Sequence, residues 1–280
     1  MHLGVRLEYH QAGRGAAFLF QHGLGGDHTQ TFSLVPGRET HRMVTMSARG
    51  HGESELGDPR LLSFDALADD ALALLEALGM ERAILGGISM GAAVALAAAQ
   101  AAPGRVEVDG LVIVRPAWGE QGMSEPTRTA LGTIARLLRR HPPKQAAERF
   151  RQSAEFQAID EQDPGAARSL LEYFDAPRVD DLVEVYERLP GQAPVADLTA
   201  LSSPAPTLVI GAPDDAVHPL DLARRIAARL DAQFVEVTAK AHDPARHQQE
   251  VERLVLDFIA ARNDRGPAGA APDEAAPGRF

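Results

Sequence analysis

Gly87-Ile88-Ser89-Met90-Gly91 stands between a short apolar run, Ala83-Ile84-Leu85-Gly86, and an Ala-rich stretch from Met90 to about Ala102. The run has the length of a strand and the stretch that of a helix, which predicts a tight strand–turn–helix bend with a serine at its apex. A side chain held on such a bend has strained φ/ψ, and the flanking backbones approach closely. Glycines two before and two after the serine meet both needs. A glycine-rich turn with a bystander serine would read the same way, so the surrounding chain has to decide.

Working outward, apolar runs alternate with helical periodicity. Ala16–Phe20, Met43–Met46, Leu111–Val114, Thr207–Ile210 and Phe234–Val237 read as further strands. Ser63 can cap a helix carrying Leu67, Ala71, Leu74, Leu75 and Leu78, with Gly79 as its stop. Helices are also expected over Leu220–Leu230 and from about Gln248 to Ala261. Strands that are apolar throughout and separated by helices imply a mostly parallel sheet covered on both faces, a doubly wound α/β fold. Residues 117–200 break the rhythm with successive helical patterns punctuated by Pro126, Pro142-Pro143, Pro164, Pro177 and Pro190. The expected organisation is therefore a core of 1–116 and 201–262, a helical insertion of 117–200, and a disordered C-terminal tail of 263–280.

Composition narrows the function classes. The 280 residues carry 28 basic and 39 acidic side chains, a formal charge of −11, which argues against a nucleic-acid partner. No cysteine is present, so disulfides, thiolate metal sites and a cysteine nucleophile are excluded. No apolar stretch reaches about 18 residues, and Met1-His2-Leu3-Gly4 opens no signal segment. The expectation is a soluble, cytoplasmic protein that acts on a small molecule, without membrane or nucleic acid; monomer and homodimer stay open.

Four more segments surround the serine motif. His22-Gly23-Leu24-Gly25-Gly26 follows the first strand, and Arg49-Gly50-His51-Gly52-Glu53-Ser54 follows the next. Gly211-Ala212-Pro213-Asp214-Asp215-Ala216-Val217-His218-Pro219 follows Thr207–Ile210, and Ala239-Lys240-Ala241-His242 follows the last strand. With the serine bend, this set resembles the α/β-hydrolase fold family, in its serine-nucleophile branch with a helical cap, from about Val5 to Ala261. The resemblance implies a metal-independent, cofactor-free serine hydrolase acting on a small ester, lactone or thioester. It makes Ser89 the nucleophile, His242 the base and a carboxylate of the 214–215 pair the acid, in the family's order Ser…Asp…His. It also implies an oxyanion hole from the amides of Leu24 and Met90.

Some assignments remain open at this level. Asp214 lies three after Gly211 and Asp215 four before Pro219, both family spacings, and Asp215 is favoured because the proline-led helix should set the geometry. Ala241 replaces the glycine that usually precedes the base, and His247 is an alternative base that otherwise begins the final helix. His22 reads as a structural member of the oxyanion loop that could border the pocket. Arg49 and His51 read as stabilisers of their loop, where Ser47 replaces the acid the family often has two residues before the arginine. His218 either holds the acid loop by a hydrogen bond or faces solvent. Trp118 either lines the pocket or anchors the insertion, which the resemblance makes a cap.

Between Arg128 and Arg151 stand seven basic residues (Arg128, Arg136, Arg139, Arg140, Lys144, Arg149, Arg151) against Glu148 alone. They read either as a rim for an anionic substrate or, preferably, as a solvated helix face. No metal-ligand spacing is apparent. The same motifs also serve carbon–carbon bond hydrolysis, perhydrolysis and non-catalytic ligand binding, whereas dehalogenases and epoxide hydrolases of this fold carry Asp at the serine's position.

Overall fold

The computed structural model describes residues 4–36, 40–197, 205–262 and 278–279. Its sheet has the order β7-β6-β5-β4-β2-β3-β1-β8. Here β1 is Glu8–Gly13, β2 Ala16–Gln21, β3 His41–Met46, β4 Arg82–Ile88, β5 Glu107–Val114, β6 Thr207–Gly211, β7 Gln233–Glu236 and β8 Gly278–Arg279. From β3 to β7 all neighbours are parallel, while β1 pairs antiparallel with β3. Neither β1 nor the helix α1 (His28–Leu34) was expected. The first carries polar residues without a clean alternation, and the second is only seven residues long.

Alternation along the strands explains the two covered faces. Phe18 and Phe20 point with Ile84 and Val112 toward α1 and α10 (Pro244–Ala260), whose Val251, Val255 and Ile259 join the same cluster. Leu19, Leu85, Leu111 and Ile113 point the other way, onto α2 (Phe64–Ala77), α3 (Met90–Ala101) and α9 (Leu220–Arg229). Ser63 Oγ caps α2 by accepting from the Ala66 amide, and Gly79 follows the helix with φ +67°.

Between β5 and β6 run α4 (Glu125–Leu138), α5 (Pro143–Arg151), α6 (Ala154–Gln162), α7 (Pro164–Glu172) and α8 (Val179–Arg188). Pro126, Pro143 and Pro164 stand in their first turns, where a missing N–H costs nothing. The end of the expected insertion (198–200) and the start of the second core segment (201–204) lie outside the described residues, as do Met1–Leu3.

The expected tail is corrected in part. Residues 263–277 and 280 lie outside the described residues, but Gly278 and Arg279 pair with Tyr9 and Glu8 of β1. An edge strand offers a row of free N–H and C=O groups, and backbone pairing requires no side-chain periodicity. Arg49 has its carboxylate partner in Asp70 of α2, at 2.6 and 2.7 Å, and both side chains are buried. Ser47 instead donates to Glu8. Among the described residues, no helix is long and apolar enough to cross a membrane.

Candidate active site

The parallel strands all deliver their following loops to one end of the sheet. Between β2 and β4 the chain order reverses, opening the crevice where doubly wound folds bind ligands. Ser89 stands at that point, directly after β4, with φ +56° and ψ −111°. The left-handed φ is strained for a residue with a Cβ, and close packing on both sides holds it there. A Cβ on Gly87 would fall 2.2 Å from the Gly91 carbonyl carbon, and one on Gly91 would fall 2.1 Å from the Gln21 carbonyl oxygen. Only glycine fits either position, which is the local reason for the pattern of the pentapeptide.

Ser89 Oγ lies 2.9 Å from Nε2 of His218. Nδ1 of the same ring is 3.0 Å from each carboxylate oxygen of Asp215. One tautomer satisfies both contacts: Nδ1–H donates to Asp215, and Nε2 accepts the serine proton. Asp215 also accepts from the amides of Val217 and His218, at 3.1 and 2.9 Å, and from the Arg115 guanidinium. Arg115 follows β5 with φ +43°, aimed across at the acid loop. Burial alone would raise the Asp215 pKa, but His218 and Arg115 outweigh it and hold the carboxyl far below its usual range. Burial lowers the His218 pKa; the Asp215 charge opposes that shift and Arg115 adds to it.

These contacts put His218, not the expected His242, beside Ser89. His242 is 68% exposed, and its Nε2 lies 3.6 Å from the exposed carboxylate of Asp214. The loop after β7 therefore brings His242 to Asp214 and leaves Ser89 to His218. His247 does not reach the serine either; it is buried in the first turn of α10, its Nδ1–H donating to the Thr238 carbonyl at 2.8 Å. Of the two acids, Asp215 meets an imidazole that meets the serine, and Asp214 does not. Sequence spacing does not identify His218 as the partner of the serine or Arg115 as a partner of Asp215. The available signal was the Asp-x-x-His spacing, which places an imidazole one turn beyond a carboxylate ahead of Pro219.

The His22–Gly26 loop lies against the serine, since a Cβ on Gly23 would sit 3.4 Å from Ser89 Cβ. Its amides are mostly engaged. Gly23 donates to Gln30, Gly25 to Nε2 of His51, and Gly26 to the Gly23 carbonyl. No protein acceptor meets the amides of Leu24 or Met90 among the described residues. Both loop histidines are neutral supports. His22 accepts the Ala48 amide at Nε2 and donates from Nδ1 to Gly23, and burial lowers its pKa. Burial likewise pushes His51 down to about 3.

A cavity of about 340 Å³ opens beside His218, lined in part by Arg115, Arg168, Tyr173, Asp215 and Lys240. Neither His22 nor Trp118 lines this cavity. Trp118 is buried, donates from Nε1 to the Leu189 carbonyl at 2.9 Å and packs edge-on to Phe64, so it anchors the inserted helices to α2. None of the seven basic residues of 128–151 lines the cavity, and Arg139 pairs with Glu184 and Glu187 on α8.

Removing Arg115 should expose its electrostatic role. If His218 must be neutral to act, kcat/KM falls as pH drops through its pKa, which burial and Arg115 set below 6.5. Arg115→Gln should move that acid limb to higher pH, besides lowering kcat through a looser Asp215. A pH profile of both proteins reads this directly, and an unmoved limb would refute it.

The chain is similar to several known proteins. A 2-hydroxy-6-oxononadienedioate/2-hydroxy-6-oxononatrienedioate hydrolase of Pseudomonas putida is 27% identical over 92% of each chain. A 3-oxoadipate enol-lactonase of Acinetobacter baylyi is 38% identical over 29% of this chain and 30% of its own. The acetyltransferase component of the acetoin cleaving system of Cupriavidus necator is 33% identical over 48% of this chain. The chain spans only 38% of that last protein's length. Among solved structures, the enol-lactonase of Burkholderia xenovorans LB400 superimposes with a TM-score of 0.71 at 20% identity, over 92% of this chain and 97% of that one. The alpha/beta hydrolase family model matches residues 18–254, and with a serine on the strand–helix bend of a mostly parallel sheet the chain belongs to that family.

Proposed function

We propose that the chain hydrolyses a small-molecule ester, lactone or thioester through an acyl-enzyme on Ser89, with His218 as base and Asp215 as its acid. The observation that carries this reading is the continuous contact from Ser89 Oγ to His218 to Asp215, at 2.9 and 3.0 Å. A serine hydroxyl is a weak nucleophile at neutral pH, so the imidazole takes its proton as Oγ attacks the carbonyl carbon. Asp215 fixes the tautomer and stabilises the imidazolium that forms. The amides of Leu24 and Met90 receive the developing oxyanion; losing one such donor typically costs about 3 kcal/mol. His218 then protonates the leaving group and, in the second half, activates water against the acyl-enzyme. The helices α4–α8 act as the cap, with the aromatic pair Tyr173 and Tyr186 resting over Gly25.

A second reading is suggested by the full-length likeness to the Pseudomonas putida hydrolase: cleavage of an oxo-dienedioate skeleton at a carbon–carbon bond. One experiment tests the acyl-enzyme of the first reading. Incubation with a fluorophosphonate, followed by peptide mapping, should place the adduct on Ser89 and abolish turnover across a panel of esters, lactones and thioesters. An adduct elsewhere, with activity intact, ends the proposal.

A further inference from the structure

A second group of donor atoms stands apart from Ser89, where β1 meets the start of α1. Glu8 and His10 are two residues apart on a strand and so share a face. Asp27 caps α1, and this start lays the His28 ring on His10, with centroids 3.6 Å apart and planes 17° from parallel. Glu8 Oε1 is 2.9 Å from His10 Nε2 and 3.9 Å from His28 Nδ1. All three donor atoms fall within 4.8 Å of one another.

Two details point to an occupant. The other Glu8 oxygen, Oε2, is held by the Ser47 hydroxyl and the Glu53 amide, which turns Oε1 toward the imidazoles. His28 Nδ1 is buried and has no hydrogen-bond partner. A buried polar atom left unsatisfied destabilises the fold unless something binds it. A cavity of about 200 Å³ adjoins the cluster, with Asp27, Glu53, Gly25 and Gly26 in its wall. Arg178 also borders it, but its guanidinium is committed to the carbonyls of Gly52 and Ser54 and to Asp181.

We propose that Glu8, His10 and His28 bind one divalent transition-metal ion of the zinc or cobalt class. Two imidazoles and a carboxylate suit such borderline ions, whereas magnesium and calcium prefer all-oxygen sets. Ligation requires the stacked rings, whose side chains are 18% and 27% exposed, to turn apart. The ion ties β1 to α1, next to the glycine loop that faces Ser89, and takes no part in the acyl chemistry. The wall carboxylates of Asp27 and Glu53 are within the same cavity to support it or its waters.

Calorimetric titration of the metal-free full chain with zinc chloride tests this, with cobalt chloride followed by absorption and magnesium chloride as control. The expected result is one zinc or cobalt ion per chain, a rise in Tm with zinc, and no uptake of magnesium. His10→Gln and His28→Gln should each weaken zinc binding at least about tenfold, the scale of changes around a bound metal. Ring nitrogen NMR shifts of His10 and His28 on zinc addition give the same reading in the unaltered protein, should a variant fold poorly. Absence of stoichiometric uptake, or equal uptake by the double variant, overturns the site. So do unmoved His10 and His28 signals at saturating zinc.

Discussion

Ser89→Ala is expected to lower kcat by about four to six orders of magnitude, as removal of the nucleophile does in a serine protease. The fold should persist. Alanine keeps the Cβ, so the φ of +56° is no more strained than before, and the lost contact to His218 is a single hydrogen bond. Steady-state rates on the best substrate of the panel, beside a thermal melt within about 4 °C of the parent, check both halves of this expectation. A variant that folds and retains most of its turnover would remove the acyl-enzyme from the mechanism. If it did so while a His218 variant was inactive, the carbon–carbon cleavage reading would take its place.

The second large effect separates two histidines. His218→Ala should cost as much as Ser89→Ala, because nucleophile and base work as one unit and their losses do not add. His242→Ala should change kcat/KM by no more than about twofold, the usual reach of a surface substitution of about 0.5 kcal/mol. Parallel kinetics on the two variants, with the pH profile of each, decide the matter. If His242→Ala abolishes turnover and His218→Ala preserves it, the base is His242, and the loop after β7 must swing toward Ser89 during catalysis. The double variant adds a check: its rate should equal that of His218→Ala alone.

The contrast between these histidines shows where sequence reasoning reaches and where it stops. The serine bend is legible because its requirements are local: a Cβ at Gly87 or Gly91 would fall 2.2 or 2.1 Å from neighbouring backbone. The parallel strands were legible because burial on both faces demands continuous apolar runs, as in Leu111–Val114 and Thr207–Ile210. β1 was not, since Glu8, His10 and Gln11 are polar and their pairing depends on the neighbouring β3. The two-residue strand β8 depends likewise on an open sheet edge supplied by β1.

The acid and base required more than spacing. Counting from the last strand leads to His242, but a loop's length does not set the direction its side chains take. His218 reaches Ser89 because the amides of Val217 and His218 fold the acid loop around Asp215, while Arg115 crosses from β5 to hold the same carboxylate. The amide contacts are local, but Arg115 lies 100 positions from Asp215 and Ser89 lies 129 from His218. The grouping of Glu8, His10 and His28 is of the same kind, assembled by a strand and a helix start with no shared motif. By itself, then, the sequence determined the doubly wound core, the inserted helices and the position of Ser89, all of which follow from periodicity, glycine sterics and chain order. Tertiary structure alone decided which imidazole meets that serine, because the choice rests on contacts between loops from separate strands, whose mutual orientation no local pattern encodes.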